Sequence, residues 1–237
     1  MAKVNTNSIA FRDLDKKLWQ NIIESLALLK RIYQLGNYII SFGTIQILRK
    51  MAAKNIDEED IIIEVGPGPG TFLKLLKEYA KQRFIIGIEP SVDMAYYSYN
   101  KNGFADVLIG IAEKLPFRDN SIDIIYCVFS FRDFFDKLRF IHEAYRILKP
   151  GGKLIIVETN NPNKLSTKVF LSFVKVIGQA LSILFLSRKN LYLGLYESIR
   201  KLQKVEYYIY LLKNIGFSRI VLRRYVFNHA YILMAFK

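Results

Sequence analysis

Glycine occupies every second position of Gly66-Pro67-Gly68-Pro69-Gly70, directly after the apolar run Ile61-Ile62-Ile63 and the carboxylate of Glu64. A helical pattern follows, with Phe72, Leu73, Leu75, Leu76 and Tyr79 on one face. Strand, tight turn and helix in that order open a nucleotide-type α/β fold. The glycines let the backbone turn sharply and come close to a ligand. The prolines restrict which ligand. A pyrophosphate site needs backbone N–H groups aimed at the phosphates, and Pro67 and Pro69 have none to offer. The spacing is also G-x-G-x-G rather than the G-x-G-x-x-G of a dinucleotide site. A ligand without phosphate fits this loop, and S-adenosylmethionine is the one expected. A second carboxylate, Glu89, closes the next apolar run, Arg83–Ile88, where such folds present an acid to ribose hydroxyls.

The elements that must hold these residues can be followed along the chain. From Asp13 to about Tyr33, Leu14, Leu18, Ile22, Leu26, Leu29 and Tyr33 recur at three- and four-residue steps, which predicts one amphipathic helix. A second helix is expected over Thr44–Lys54. After the two strands ending at Glu64 and Glu89, Ser91 can cap a helix. Ala105–Gly110 and Ile122–Phe129 are expected as strands, the second apolar throughout, as suits a central parallel strand. Phe135–Leu148 is expected as a helix stopped by Pro150-Gly151-Gly152, and Lys153–Val157 as a strand ending at Glu158. Residues 162–200 then read as helical and very apolar, Val205–Asn214 as a helix, and Arg219–Val226 with Ala230–Phe236 as a closing antiparallel hairpin. Alternating strands and helices imply a mostly parallel sheet covered on both faces, with ligands at its carboxyl edge.

Composition narrows the function. The chain has 237 residues, 51% of them hydrophobic, and a mean hydropathy of +0.14, enough for a large core and contrary to disorder. Its one cysteine, Cys127, excludes a disulfide framework and a cysteine-based metal site. The two histidines, His142 and His229, are expected on a helix face and a strand, and no metal is expected. The N-terminus carries no secretory pattern, so the cytoplasm is the expected compartment. From residue 160 onward, thirteen Lys and Arg face only Glu197 and Glu206, a surplus of +11 out of a total of +14. Such a basic half suits phosphate, either on nucleic acid or on an anionic membrane surface.

Together the motifs resemble class I S-adenosylmethionine-dependent methyltransferases: Glu64-x-Gly66-x-Gly68-x-Gly70, Glu89, Leu115-Pro116-Phe117, Asp123 opening a strand, and Leu148-Lys149-Pro150-Gly151-Gly152. Outside that set, Tyr33, Asn37, Ser41-Phe42-Gly43, Arg132-Asp133, Tyr192 and Glu197-Ser198-Ile199-Arg200 are similar to the ubiquinone/menaquinone C-methyltransferase family, from about residue 30 to the C-terminus. The resemblance implies a Rossmann-like α/β fold: a mostly parallel seven-stranded sheet, helices on both faces, a C-terminal antiparallel hairpin and a helical cap. It implies that residues 1–54 form a helical segment covering the active site, and that residues 55–237 form the methyltransferase domain with the cap inserted at about 162–200. It further implies a cofactor site at Glu64, Gly66, Gly68, Pro69, Gly70, Glu89, Ile111, Ala112 and Val128. The chain departs from the family at Gln34, Ile111, Asp133, Gln203, Arg224-Tyr225-Val226 and Asn228. At Ile111 the departure removes a side-chain hydrogen bond to adenine.

The reaction the resemblance implies is C-methylation of a prenylated quinol. A quinol ring carbon becomes nucleophilic once its hydroxyl loses a proton, which calls for a base and for a cation beside the oxyanion. Arg132 is the candidate cation and Asp133 the candidate base or water-orienting group, while Tyr33 and Asn37 are placed to position the ring oxygens. Residues 169–187 carry Ser172, Lys175, Gln179 and Ser182 as one narrow polar stripe. Their length approaches a bilayer span, but a lysine near the middle costs about 3 kcal/mol to insert. A cap helix lining a lipid-substrate pocket and touching the membrane interface is favoured over a core helix, with Arg188-Lys189 toward headgroups. Two other classes stay open: methylation of RNA or another small molecule or lipid, and a non-catalytic partner subunit. Nucleic acid is disfavoured because no separate binding module is present, and a homodimer is compatible with the sequence.

Overall fold

The computed structural model of the protein describes residues 14–30, 33–54, 56, 60–79, 84–102, 106–160, 164–186 and 193–237. Among the described residues, three helices precede the sheet: α1 (Lys16–Leu29), α2 (Tyr33–Ser41) and α3 (Thr44–Ala53). The α/β core runs β1 (Ile62–Val65), α4 (Thr71–Tyr79), β2 (Ile85–Glu89), α5 (Val92–Asn102), β3 (Val107–Ile109) and β4 (Ile122–Val128). A 3₁₀ turn (Phe131–Asp133) leads to α6 (Lys137–Ile147) and β5 (Leu148–Thr159). Two helices follow, α7 (Lys164–Leu186) and α8 (Leu193–Lys201), and α9 (Val205–Ile215), β6 (Arg219–Tyr225) and β7 (Ala230–Phe236) complete the chain.

The sheet order is β3-β2-β1-β4-β5-β7-β6. The first five strands pair in parallel, and β7 lies antiparallel to both β5 and β6, as the terminal hairpin predicts. Strand order reverses between β1 and β4, and the crevice beyond the carboxyl ends of strands at such a switch is where α/β sheets bind ligands. Successive side chains of a strand point to opposite faces. Thus Ile63 and Val65 join Cys127, Phe131, Phe140, Tyr208 and Leu212 in one core layer, while Ile62 joins Leu48, Phe72, Leu76 and Tyr126 in the other. Fully burying one such side chain is worth about 1.5–3 kcal/mol. A third, smaller cluster of Leu29, Ile40, Val174 and Leu181 fastens α7 onto α1 and α2.

Asp123 acts as a structural tie. Its Oδ2 accepts from the Ile61 N–H and from Lys149 Nζ, both at 2.8 Å, joining three segments at the amino edge of the sheet. Several boundaries differ from the sequence pattern. The single helix expected over Asp13–Tyr33 is two helices. α1 starts at an Asp15 cap, with Leu18 N–H donating to Asp15 Oδ1 at 2.8 Å, and ends at Leu29, and Tyr33 opens α2. The four-residue step from Leu29 to Tyr33 says nothing about the backbone between them. Tyr79 is the last residue of α4 and is 46% exposed, past the buried stretch of Phe72, Leu73 and Leu76. The Leu148–Gly152 segment is built into β5 instead of merely ending a helix: Leu148 pairs with Ile122 ahead of an irregularity, and Lys153 pairs with Ile124. The expected positions of Tyr192 and Arg188-Lys189 lie outside the described residues.

Candidate active site

The turn after β1 sets one wall of a cleft at the switch point. Gly66 has φ +74° and donates to the Ile88 carbonyl at 2.8 Å. A Cβ there would stand 2.6 Å from the Cβ of Ser130, so only glycine lets the β1 and β4 loops meet. Gly68 has φ +56°, and a Cβ would meet nothing within 4 Å, which leaves its backbone open to a ligand. Opposite stands Glu89 at the end of β2, accepting from Gly68 N–H at 2.9 Å and Ser91 N–H at 3.0 Å. Ile88, Ile111, Ala112, Glu113, Phe129, Ser130, Asp133 and Tyr33 complete the walls, and Trp19, Ile23 and Leu26 of α1 face the cleft from above.

A charged layer lies beneath and beside this cleft. Glu64 is 1% exposed and its Oε2 has no hydrogen-bond partner among the described residues. Burial pushes its carboxyl up to about 8, with Arg49 opposing and Glu89 adding. Burial likewise lifts Glu89 to about 7 against the N–H groups of Ser91 and Gly68. Arg49 on α3 is buried, and burial lowers its guanidinium from the usual range against the pull of Tyr33 and Glu64. Arg132 donates from Nη1 to Glu158 Oε1 at 2.8 Å and from its backbone N–H to Glu158 Oε2 at 3.1 Å. Burial alone would lower Arg132, but the charges of Glu158 and Asp133 outweigh it and hold the guanidinium protonated. Burial raises Asp133, with Arg132 pulling the other way.

A second, roomier cavity of about 250 Å³ adjoins the cleft. Its walls are almost wholly apolar: Ile40, Phe42, Ile45, Leu48, Phe129, Phe170, Phe173, Leu195, Ile199, Val226 and Ala230, with Asn37, Arg132, Thr159 and His229 among the few polar groups. Phe129 belongs to both sites. It sits at φ +59° just after β4, and its N–H donates to the Val157 carbonyl at 2.8 Å. A bulky residue in that left-handed region stores about 1–3 kcal/mol and persists only where the surroundings hold it.

The expected site residues are therefore divided. Gly66, Gly68, Glu89, Ile111 and Ala112 line the cleft together with Tyr33 and Asp133. Asn37 and Arg132 line the apolar cavity. Glu64 lies under the loop, while Pro69, Gly70 and Val128 belong to the frame around the cleft without lining it. The geometry fits the expected cofactor: a phosphate-averse glycine turn with open backbone at Gly68, a carboxylate pair at two strand ends, and an orphaned acceptor on Glu64. Sequence inspection missed four contributors. Glu158 was visible only as a strand end, Arg49 only as one polar residue of a short helix, and Trp19 only as part of an amphipathic pattern. His229, expected on a strand, lies in the turn before β7, because β6 ends at Tyr225 and the three residues Val226, Phe227 and Asn228 take left-handed conformations.

The sequence profile of the ubiE/COQ5 methyltransferase family matches residues 13–237. The demethylmenaquinone methyltransferase of Thermotoga maritima is 30% identical over 190 residues, covering 78% of this chain and 83% of the relative. The ubiquinone/menaquinone biosynthesis C-methyltransferase UbiE of Rickettsia felis is 27% identical over 234 residues, covering 92% and 93%. Among solved structures, an S-adenosylmethionine-dependent methyltransferase from Methanococcus maripaludis aligns with a TM-score of 0.60 over 98% of this chain and 96% of its own, at 21% identity, a likeness of fold.

Proposed function

Because the chain belongs to the ubiE/COQ5 methyltransferase family and so is an S-adenosylmethionine-dependent enzyme, we propose that it methylates a ring carbon of a reduced, prenylated quinol. The single observation carrying this reading is the pair of adjoining sites: a cofactor cleft and an apolar cavity that meet at Phe129. S-adenosylmethionine, when bound, supplies an electrophilic methyl group on a sulfonium sulfur. The chain's own residues orient and desolvate. Gly66 and Gly68 offer close backbone approach, Glu89 offers two carboxylate oxygens to hydroxyl donors, and α1 with Trp19 and Leu26 shields the cleft from water. Holding two reactants in line at near-attack distance can supply about 7–11 kcal/mol of a barrier.

The cavity walls suit an isoprenoid tail, and Asn37 and Arg132 supply polar contacts where a ring would face the cofactor. Arg132 acts here as a hydrogen-bond donor of fixed orientation, since Glu158 already offsets its charge. Exposed apolar side chains lie next to lining residues along the chain: Phe42, itself a lining residue, is 81% exposed, Phe227 follows Val226 and is 98% exposed, and Leu165 and Val169 of α7, just before Phe170, also face out beside Lys168. No helix of the described residues is long and apolar enough to cross a membrane. This exposed rim supports peripheral contact with an anionic bilayer, from which a lipid quinol could enter. Anionic vesicles should then retain the protein at low salt and release it as ionic strength rises.

The test of the reaction incubates the purified protein with methyl-labelled S-adenosylmethionine and reduced demethylated quinols, alongside the oxidised quinones and RNA. Label in the quinol ring, with the quinones inert, is expected. Label in RNA and none in any quinol would overturn the reading.

A further inference from the structure

His229 lines the apolar cavity and not the cofactor cleft. Its backbone is fixed on both sides: its N–H donates to the Val226 carbonyl at 2.9 Å, and its carbonyl accepts from the Asn160 N–H at 2.8 Å. Its ring lies 5.6 Å from that of Phe170, tilted by 37°. Its Nδ1 is buried and has no hydrogen-bond partner among the described residues. Nδ1 is thus sealed from the cavity, and any contact with an occupant falls to the rest of the ring.

The described lining of the cavity holds few groups that can exchange a proton. Of the described side chains lining it, only Arg132 and His229 bear ionisable groups. Arg132 cannot accept a proton, and Glu158 holds it in its charged form. The remaining polar groups, on Asn37, Ser41, Thr44 and Thr159, are amide or hydroxyl and are not bases at neutral pH. The carboxylates of Glu89, Glu113 and Asp133 line the cofactor cleft, on the other side of Phe129. Imidazole is the side chain best suited to take up and return a proton near neutrality.

We propose, resting on the reading of this cavity as a quinol site, that His229 is the proton acceptor for the ring hydroxyl of the acceptor. The hydroxyl O–H bond breaks and its electron pair stays on oxygen, shared with the ring, while the proton forms a bond to the imidazole nitrogen. The ring carbon bonds to the methyl carbon, and the pair of the broken methyl–sulfur bond stays on sulfur. The same ring carbon then releases its hydrogen as a proton to water, and the imidazolium returns its proton to the ring oxygen. Sequence inspection could not single out His229, because a lone histidine in a predicted hairpin is most simply a strand residue.

The experiment compares the full chain with its H229A and H229Q variants. H229A should lose about a hundred- to ten-thousandfold in turnover, the usual range for a general base, with unchanged affinity for S-adenosylmethionine. Added imidazole should restore part of the H229A rate. H229Q can hydrogen-bond but not take the proton, and should stay slow. A second readout needs no turnover: a hydroxynaphthalene analogue, bound without cofactor, should show the absorbance of its anion with the wild type and not with H229Q. Unchanged turnover in a folded H229A, or an anion band that persists in H229Q, would overturn the proposal. If H229A fails to fold, by circular dichroism, H229Q decides by the same two measures. A wild type inactive on every quinol defeats the functional reading instead, and the analogue band still decides for or against His229.

Discussion

The cofactor cleft and the apolar cavity stand back to back on Phe129, yet they are built by opposite means. The cleft comes from the ends of neighbouring strands, and its central features are backbone conformations: the left-handed Gly66 and Gly68, and N–H groups turned onto Glu89. The cavity comes from side chains on α2, α3, α7, α8 and the β6–β7 turn, segments far apart in the chain. A site made of backbone tolerates drift in its side chains. A site made of scattered side chains can be reshaped by one substitution at a time. On the proposed assignment, binding of the methyl donor belongs to the part of the molecule that is hard to change, and choice of acceptor to the part that is easy to change.

The comparison can be broken most severely at the ion pair beneath the cavity. Arg132 is 4% exposed and Glu158 is fully buried, and Glu158 also accepts from the Thr159 N–H at 2.7 Å. Removing one partner of such a pair leaves an uncompensated charge and typically costs about 3–5 kcal/mol. Glu158→Ala should therefore lower the unfolding free energy by that amount in urea denaturation, and should damage acceptor turnover along with it. If Glu158→Ala is as stable as the wild type, the pair does not hold the cavity together and Arg132 is free for another role.

A more selective break acts on the cleft alone. Losing hydrogen bonds to a charged group costs about 1.5–3 kcal/mol, so Glu89→Ala should weaken S-adenosylmethionine binding about ten- to a hundredfold. The KM for the acceptor should stay the same, because Glu89 does not line the cavity. Isothermal calorimetry and steady-state kinetics measure the two quantities. Equal losses in both would mean that the two sites are not separate.

The comparison is also sharpened through pH. Folding raises Glu64 to about 8 and Glu89 to about 7, both through burial. Between the ordinary carboxyl range and those values the folded protein holds protons that the unfolded chain has released. Its stability is then complete at low pH and falls as pH rises, by about 1.4 kcal/mol per unit for each carboxyl still protonated. Thermal melts of the cofactor-free protein should show the midpoint dropping from pH 5 toward pH 8, and Glu64→Gln should flatten the slope. A midpoint that climbs over this range would show that burial does not govern these two groups.

Much of the frame was legible beforehand because it follows from local rules. Glycine spacing, missing proline N–H groups and the apolar runs of β1 and β4 are readable in consecutive residues, and they fix the strand–turn–helix unit and the ligand edge. The terminal hairpin followed from two apolar runs near the C-terminus, and the sheet pairs it as expected. The errors arose where a pattern spanned a break. A four-residue step crossed from α1 into α2, and His229, expected on a strand, falls in the turn between the two hairpin strands.

What the sequence determined by itself is the α/β frame, the glycine turn and the pair of carboxylates at the ends of β1 and β2, because each is encoded within a dozen residues whose backbone preferences agree. What only the tertiary structure decided is the company each charge keeps. Arg132 looks in the sequence like a partner for its neighbour Asp133, yet its short hydrogen bonds go to Glu158 on β5, 2.8 Å away, while Asp133 stands off at 3.8 Å. Tyr33 and Asp133 turn to the cleft, and Asn37, Arg132 and His229 to the cavity. Strand order and helix packing set those partnerships by bringing together residues far apart in the chain, and no local pattern records which distant carboxylate will reach a buried guanidinium first.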